Sequence, residues 1–344
     1  MKIAIITDTH FGARGDSPIF LNHHLNFFED VFFPCIREKG IDKVIHMGDF
    51  MDRRKFVNFQ TLQNVKERFL KPLESLCSET HVIIGNHDIY YKNTSKVNAV
   101  SELFEGREKF HIHTEPHTIE IDGVTIDLIP WINRENRDRV QDFVQQSKSK
   151  VCFGHLEVNG YYMHPGVKCE SGLEAKEFEG YSRVYTGHFH TQSKSKNIHY
   201  LGTAYQITFG DWGEEKGFWI FDTETLDVEF VPNPHEIFHK IVYNNGPTRD
   251  VDFTRLEKCF VKVIVTAKDK PTEFESFLDK LYASGVEDVT IVEKEDEYEP
   301  TEEEVDISID TITLIENEID SQEITNKDSV KKLAREIYLE SIDE

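Results

Sequence analysis

Five short apolar runs of this sequence are each followed at once by side chains of the kinds that bind metal ions. A short apolar run that ends at turn residues is typical of a buried β-strand. In chain order, the five motifs are Asp8-Thr9-His10, Gly48-Asp49-Phe50-Met51-Asp52, Gly85-Asn86-His87-Asp88, Gly154-His155 and Gly187-His188-Phe189-His190. Ligand sites in parallel sheets lie beyond the carboxyl ends of the strands. The pattern therefore predicts a fold in which five strand ends meet at one site.

The first third of the chain alternates between predicted strands and helices. Periodicity predicts strands at 2–6, 43–47 and 81–84, and helices at 19–39 and 59–76. Pro34 is expected to kink or break the first helix. Alternation of this kind predicts an α/β fold with a parallel sheet and right-handed crossovers.

Later segments predict a second sheet. We expect a hairpin at 117–129, a helix at 134–147 and strands at 151–153, 183–186, 197–201, 205–209, 218–221 and 228–231. Two of these strands precede the Gly-His motifs. A second sheet packed on the first gives a two-sheet β-sandwich core flanked by helices, which is the architecture that we predict.

Turn residues and changes in composition divide the chain. Pro232-Asn233-Pro234 and Asn244-Asn245-Gly246-Pro247 are turn clusters that indicate a boundary near 235–250. Residues 293–306 hold nine acidic residues and one lysine, which is typical of a solvated linker. Farther on, apolar residues recur at helical spacing, at Val330, Leu333, Ala334, Ile337, Tyr338 and Ile342. We predict a catalytic domain over 1–234, a small α+β domain over 235–295, an acidic linker over 296–324 and a C-terminal helix over 325–344.

The net charge of −24 is unevenly distributed. Residues 260–344 carry 9 basic and 25 acidic residues, which leaves 30 and 38 in residues 1–259. Because the excess acid lies mainly in the C-terminal quarter, a polyanionic substrate is not excluded at the motifs, although weak DNA binding by this chain alone is expected. The five scattered cysteines, with no signal peptide and no apolar run of about 20 residues, predict a cytoplasmic protein that does not enter membranes.

The motif residues suit a hydrolytic site with two divalent metal ions. Such sites use carboxylate and imidazole ligands and leave positions open for water and substrate. Asp8 and His10 alternate by two residues, as do His188 and His190, so each pair can project to one side of an extended strand end. Asp49 is the candidate bridging carboxylate, with Asn86 and His155 completing the set. The expected nucleophile is a hydroxide held between the two ions.

Other motif residues have more open roles. His87 could be a ligand, or it could stabilise the transition state and protonate the leaving oxygen. Asp52 could orient and charge His87. Arg14, Arg53 and Arg54 lie beside the motifs and could contact phosphates, although an ion-paired or solvated role fits these arginines as well.

The five motifs resemble those of the calcineurin-like metallophosphoesterase superfamily, in which D-x-H, G-D-x-x-D, G-N-H-D/E, G-H and G-H-x-H occur in this order. The resemblance spans roughly residues 1–221. More narrowly, IAIITDTHFG and residues 202–225 resemble the nuclease subunits of SbcCD-type DNA repair complexes. The segments LIPWINREN, GHLEVNGYY and TGHFHT are most similar to the bacteriophage branch, the T-even-type recombination endonucleases.

The resemblance implies a metal assignment. One ion would be held by Asp8, His10, Asp49 and His190, and the other by Asp49, Asn86, His155 and His188. His87 would be the catalytic histidine, with Asp52 as its partner. Two Mn²⁺ ions are implied, although the ligand types alone would also permit magnesium, iron or zinc.

The resemblance also implies partners. The 235–295 segment would be a capping domain, and the C-terminal helix would bind an SMC-like ATPase. The chain would form a homodimer, for which the exposed face of the helix at 59–76 is one candidate surface. The leading function is then a metal-dependent DNA exo/endonuclease subunit in recombination and repair. A phosphatase or small-molecule phosphodiesterase is the first alternative, and a non-catalytic scaffold that tethers the ATPase to DNA ends is the second.

Overall fold

The computed structural model describes residues 1–164, residues 167–293 and, beyond these, Ile319, Asn326, Lys327, Val330, Lys331 and Ala334. Met1–Asp296 form one compact unit and Glu297–Glu344 form a second. Apart from those six residues, the predicted acidic linker at 296–324 and the predicted C-terminal helix at 325–344 lie outside the described residues.

The described residues form strands throughout the first unit. They are β1 (Lys2–Ile6), β2 (Lys43–His46), β3 (Glu79–Ile83), β4 (Phe110–His113), β5 (His117–Ile121), β6 (Val124–Ile129), β7 (Val151–His155), β8 (Tyr162–His164), β9 (Val167–Lys168), β10 (Arg183–Gly187), β11 (Ser193–Ser195), β12 (Ile198–Tyr200), β13 (Gly217–Asp222), β14 (Val228–Pro232), β15 (Phe238–Asn244), β16 (Phe260–Ala267) and β17 (Asp288–Glu293).

Helices connect and cover these strands. The α-helices are α1 (Ala13–Asp16), α2 (Pro18–Phe27), α3 (Phe33–Glu38), α4 (Phe59–Val65), α5 (Lys71–Leu76), α6 (Ala99–Phe104), α7 (Arg137–Gln146) and α8 (Pro271–Ala283). Two π-helical segments, Phe28–Phe32 and Lys66–Leu70, join α2 to α3 and α4 to α5. Short 3₁₀ turns lie at Ala175–Phe178, Phe209–Asp211 and Phe253–Arg255. No helix among the described residues is long and apolar enough to span a bilayer.

Two six-stranded sheets form the centre of the first unit. The first has the order β14-β13-β1-β2-β3-β4, and the second has the order β11-β12-β10-β7-β6-β5. Strands β1 to β4 run parallel to one another, and so do β6, β7, β10 and β12. Within each sheet, the strands that carry motifs therefore end at the same edge, β1, β2 and β3 in the first sheet and β7 and β10 in the second.

Side chains on opposite faces of the buried strands contribute to three separate apolar clusters. Ile3 and Ile5 on β1 face Val151 and Phe153 on β7, and these side chains belong to one apolar cluster between the two sheets. The neighbouring side chains of β1 pack instead on α2 and the helices that follow it, in a cluster rich in phenylalanine. A third cluster lies between the second sheet and α7. The mixed α/β fold with two central sheets flanked by helices confirms the predicted fold class.

The first long helix passes through Pro34 without a break. A proline in a helix lacks an N–H and crowds the carbonyl four residues earlier. Here the π-helical segment Phe28–Phe32 precedes Pro34, and Lys66–Leu70 likewise precedes Pro72. The wider π turn accommodates each proline. The expected break at Pro34 is therefore wrong, whereas the expected kink stays a prediction.

The strand expected at 205–209 is also wrong, because this segment is a loop that leads into Phe209–Asp211. Its apolar side chains are buried as the pattern suggests, but its polar groups are used by three separate parts of the chain. The Tyr205 hydroxyl donates to the Thr9 carbonyl, Gln206 Oε1 accepts from the backbone of β15, and the Ile207 N–H donates to Asp211.

The three-stranded parallel sheet β15-β16-β17 forms the small α+β part near the C-terminal end of the first unit. One face of this sheet packs on α8 through its own apolar cluster. Its first strand is held against the larger part by Phe238, which contacts Phe20 of α2 and Phe209. The division at 234/235 lies inside the first unit, so the predicted domain at 235–295 stays a prediction.

Candidate metal centre

The seven candidate ligands lie at the carboxyl ends of five strands. Asp8 and His10 follow β1, Asp49 follows β2, Asn86 follows β3, His155 ends β7, and His188 and His190 follow β10. All seven side chains are buried. Four of them have a left-handed backbone, with φ of 52° at Asp8, 39° at His10, 52° at Asp49 and 85° at His188. Such conformations are uncommon for residues with side chains and concentrate at functional sites.

One set of ligand atoms comes from the ends of β1 and β10. Asp8, His10 and His190 each offer a ligand atom within 4.8 Å of the others. The Nε2 atoms of His10 and His190 are 3.2 Å apart. Asp49 Oδ2 lies 3.7 Å from His10 Nε2, so this carboxylate also reaches the set.

A second set comes from β2, β3, β7 and β10. Asp49, His155 and His188 offer ligand atoms within 4.8 Å of one another. Asn86 Oδ1 lies 3.0 Å from His155 Nε2 and 2.9 Å from His188 Nδ1. Asp49 Oδ2 is 3.4 Å from His155 Nε2, which places the same oxygen near both sets. A carboxylate in that position can bridge two metal ions.

The tautomer of His155 shows that this arrangement fits a cation. Its Nδ1 lies 2.8 Å from the Met47 carbonyl, and a carbonyl oxygen only accepts, so Nδ1 carries the proton. In the neutral ring, Nε2 then presents a lone pair to Asn86 Oδ1 and Asp49 Oδ2, which are also acceptors. A positive ion between these atoms would satisfy all three. The donor set therefore fits the divalent metal pair.

The pKa values follow from the same crowding of acceptors. Burial disfavours the charged form of His155, but the charge of Asp49 outweighs it and raises the pKa of His155 to about 9. The pKa of His10 is also raised to about 9, because Asp52 and Asp49 outweigh its burial. Burial likewise opposes ionisation of Asp49, yet His155 and His87 hold the pKa of Asp49 well below its ordinary value. The centre therefore attracts positive charge.

His87 lies beside the first set. Its backbone N–H donates to Asp49 Oδ1 at 2.8 Å, and one of its ring nitrogens is within 4.8 Å of ligand atoms of His10 and Asp49. Its Nδ1 lies 2.6 Å from the Asp52 carbonyl and therefore carries the proton in the neutral ring. Nε2 is then left to exchange a proton or to bind, so both roles considered from the sequence remain open.

The Asp52 side chain differs from the expectation. We expected its carboxylate to orient His87, but that contact is made by the Asp52 backbone carbonyl. The carboxylate oxygen Oδ1 instead lies 3.5 Å from His10 Nδ1. Carboxylates that contact the far nitrogen of a metal-binding histidine fix its ring and raise its basicity, so the structure relates the Asp52 side chain to His10.

The three arginines have different surroundings. The Arg14 guanidinium lies 5.4 Å from the ring centre of Phe20 and 5.5 Å from that of Phe238. Arg53 is exposed, and its Nη1 is 3.7 Å from Asp16 Oδ2. Arg54 is half-buried in the same loop. All three lie within five residues of a candidate ligand, Arg14 in the short α1 and Arg53 and Arg54 on the loop after Asp49.

Several residues that support the centre were not predicted as ligands or catalytic residues. Asp88 accepts hydrogen bonds from the backbone N–H groups of Phe50, Met51 and Gly85, so it ties the second motif to the third. The ring of Trp131 lies 4.9 Å from that of His188. Lys216 donates to the His190 carbonyl at 2.9 Å from a site far along the chain. Only Asp88 had a signal, its position beside His87.

Comparison with known proteins identifies the family. A family model described as calcineurin-like phosphoesterase matches residues 1–192. The chain belongs to this family and is a metal-dependent phosphoesterase, which confirms the predicted resemblance.

Individual relatives give more specific similarities than the family model does. The chain is 34% identical to exonuclease subunit 1 of Enterobacteria phage T4 over 99% of both chains. It is 23% identical to the uncharacterized protein R555 of Acanthamoeba polyphaga mimivirus, over 49% of this chain and 13% of that protein. Among solved structures, a novel archaeal phosphodiesterase aligns with 67% of this chain and 99% of its own, at 16% identity and a TM-score of 0.33.

Proposed function

We propose that this chain is the nuclease subunit of a DNA exo/endonuclease that acts with an SMC-like ATPase in recombination and repair, as in SbcCD-type complexes. The observation that carries the proposal is the 34% identity, over 99% of both chains, to a protein named exonuclease subunit 1. This similarity extends well past the family match at residues 1–192. It therefore supports a shared task as well as a shared metal centre.

We assign one Mn²⁺ ion to Asp8, His10, Asp49 and His190, and a second to Asp49, Asn86, His155 and His188. Mixed carboxylate, amide and imidazole donors suit Mn²⁺, and they also permit Mg²⁺ or another divalent metal. A bound pair supplies Lewis acidity, which activates water and offsets charge on the phosphoryl oxygens.

His87 is the proposed catalytic histidine. Its ring nitrogen within 4.8 Å of the Asp49 and His10 ligand atoms supports contact with a phosphoryl group bound there. In the protonated state, Nε2 would donate to the phosphoryl oxygens and then to the leaving oxygen. Asp52 assists through its carbonyl at His87 and its carboxylate at His10.

Arg14, Arg53 and Arg54 are the proposed DNA contacts. Each lies within a few residues of a candidate ligand, and arginine binds phosphate with paired N–H groups. Arg53 would have to exchange its contact with Asp16 for a phosphate. The surroundings of Arg14 suggest that DNA would pass near the junction with the capping domain.

The rest of the chain would serve assembly. We propose the domain limits 1–234 and 235–295 for the catalytic and capping domains, with an acidic linker at 296–324 and an ATPase-binding helix at 325–344. Deletion of 325–344 should abolish co-purification with the ATPase and leave Mn²⁺ binding intact, whereas retained association would exclude this role. A homodimer acting in the cytoplasm, that of the host cell for a phage protein, completes the proposal.

One experiment separates the nuclease from its alternatives. The purified chain is incubated with Mn²⁺ and labelled duplex or single-stranded DNA, with and without the ATPase, beside the His87→Ala variant. We expect DNA cleavage, reduced about 10²-fold or more by His87→Ala, since general acid catalysis contributes about 10²–10⁴-fold. Hydrolysis of p-nitrophenyl phosphate esters without any DNA cleavage would indicate the phosphatase alternative. DNA binding without hydrolysis of either substrate would indicate the scaffold.

A further inference from the structure

Lys216 is a buried lysine that joins a candidate metal ligand to two carboxylates. The residue is 4% exposed. Its Nζ atom donates to the His190 carbonyl at 2.9 Å, to Asp211 Oδ1 at 2.8 Å and to Glu214 Oε2 at 2.8 Å. An ammonium group has three N–H donors, and burying it is costly unless they are partnered. The three contacts use all of them.

The carboxylate partner of Lys216 is itself fixed by the backbone. Asp211 Oδ2 accepts hydrogen bonds from the N–H groups of Ile207 and Thr208, both at 2.8 Å. In the same loop, Gln206 Oε1 accepts from the N–H groups of Ile237 and Phe238, both at 3.0 Å, where β15 begins. The loop is therefore held at both ends, and Lys216 is attached to a rigid frame.

The charges of this group support a permanent contact. Burial opposes the charged form of Lys216, but Asp211 and Glu214 outweigh it and raise its pKa. Burial also opposes ionisation of Asp211, and Lys216 and His190 outweigh it and lower its pKa. The buried contact of 2.8 Å between these opposite charges holds the Lys216 ammonium in place.

The contact with Lys216 is made by the backbone of His190. Its carbonyl also accepts from the Thr203 N–H at 3.2 Å, so two donors fix the peptide that follows the ring. The ring nitrogen Nε2 lies 3.2 Å from His10 Nε2 in the first ligand set. His188, two residues earlier, is fixed differently, because its N–H points to the carboxylate of Asp8.

We propose that Lys216 is a positioning residue for the first ligand set, holding His190 so that its ring meets Asp8 and His10. The inference rests on the metal assignment above and does not depend on DNA being the substrate. A residue that only stabilised the fold would weaken both metal positions alike. A positioning residue should weaken one of them.

The test measures Mn²⁺ binding to the full-length chain by the loss of the free-ion electron paramagnetic resonance signal. Lys216→Met is introduced into two backgrounds. His188→Ala removes a ligand of the second ion only, so the stronger remaining site reports on the first set. His190→Ala removes a ligand of the first ion only, so the stronger remaining site reports on the second set. Lys194→Met, at an exposed lysine on β11, is the matched control in both.

We expect Lys216→Met to weaken Mn²⁺ binding about 10-fold or more in the His188→Ala background, as for other residues that support metal ligands. In the His190→Ala background, and for Lys194→Met in either background, the Mn²⁺ affinity should change less than about twofold, well below the loss that a residue supporting a metal ligand causes. Equal weakening in both backgrounds, or none in either, would overturn the proposal.

A second variant is used if Lys216→Met does not fold, which circular dichroism and thermal melting would reveal. Lys216→Met leaves the buried Asp211 and the half-buried Glu214 without their cation, so Lys216→Met/Asp211→Asn/Glu214→Gln removes all three charges together. This triple variant still lacks the Lys216 donor to the His190 carbonyl and should show the same selective loss. Nuclease activity is not used in either measurement, so failure here is distinguishable from failure of the proposed function.

Discussion

At the scale of single residues, the centre depends on how closely glycine lets two motif loops approach. A Cβ atom added to Gly85 would lie 2.0 Å from Asp49 Oδ1 and 2.4 Å from the Asp49 backbone nitrogen. Neither atom can move away cheaply, because Asp49 lies between the two ligand sets. The glycine before Asn86 is therefore required by the carboxylate that bridges the sets.

Gly85→Ala should displace Asp49 and reduce the phosphoesterase rate about 10²-fold or more, since a displacement near 1 Å at a reacting centre can cost that much. The rate is measured with a p-nitrophenyl phosphodiester and saturating Mn²⁺. Gly180→Ala is the matched control, because no atom lies within 4 Å of its added Cβ. Equal rates for the two variants would show that the close approach is not needed.

The residue types at the site could be read from the sequence, but their orientations could not. Asp, His and Asn after apolar runs predicted a metal centre because these donors suit divalent ions. Nothing in the pattern showed that four ligands have a left-handed backbone, or that the Asp52 carboxylate faces His10. Lys216 gave no signal because a lysine is usually exposed, and its burial depends on partners brought together only by folding.

At the scale of elements, parallel strands buried on both faces were predictable because they appear as continuous apolar runs. β1, β2, β3, β7 and β10 all lie where the sequence predicts strands. The segment 205–209 has the same apolar character, but the side chains of Tyr205 and Gln206 bind the Thr9 carbonyl and the backbone where β15 begins, which no local pattern records. Burial could be predicted there, whereas strand pairing could not.

His46 joins two of these strand ends. The Gly48 N–H donates to His46 Nδ1 at 3.2 Å, so Nε2 carries the proton and donates to Thr9 Oγ1 at 3.0 Å. The Thr9 hydroxyl then donates to the Phe50 carbonyl at 3.0 Å. Burial, with the nearby charge of His155, lowers the pKa of His46 from its ordinary 6.5 to about 3. The folded protein therefore keeps this ring neutral.

Acid should destabilise the fold through His46. Between pH 6.5 and about pH 3 the unfolded chain binds a proton here that the folded chain does not, so the free energy of unfolding falls as the pH falls. The slope from one such group is about 1.4 kcal/mol per pH unit. Urea unfolding of the metal-free protein at pH 5 to 7.5 should show a shallower pH dependence for His46→Gln. Identical slopes would contradict the assigned neutral state.

At the scale of the whole molecule, an exposed aromatic patch supports the proposed homodimer. Phe56 is 72% exposed and Phe59 is 86% exposed at the start of α4, and Tyr91 on the adjacent loop is 53% exposed. Lys55 links the two loops, because its Nζ lies 5.3 Å from the ring centre of Tyr90. Patches of large apolar side chains on a protein surface commonly mark interaction sites.

Phe56→Ser/Phe59→Ser should convert the proposed dimer to a monomer, because the apolar area that a partner would cover is lost. Sedimentation velocity at micromolar concentration measures the change. Tyr282→Ser is the matched control, since Tyr282 is likewise an exposed aromatic residue, at 56%, but lies on α8. A double variant that sediments as the unmodified chain does would exclude this surface.

We propose that five strand ends form one centre in which Asp49 bridges two metal ions. Electron paramagnetic resonance of the Mn²⁺-loaded protein tests it most directly, because two Mn²⁺ ions about 3.5–4 Å apart give a spin-coupled spectrum. We predict two ions per chain with a coupled spectrum, and loss of the coupling in Asp49→Asn. One ion per chain, or two ions with independent spectra, would contradict the claim.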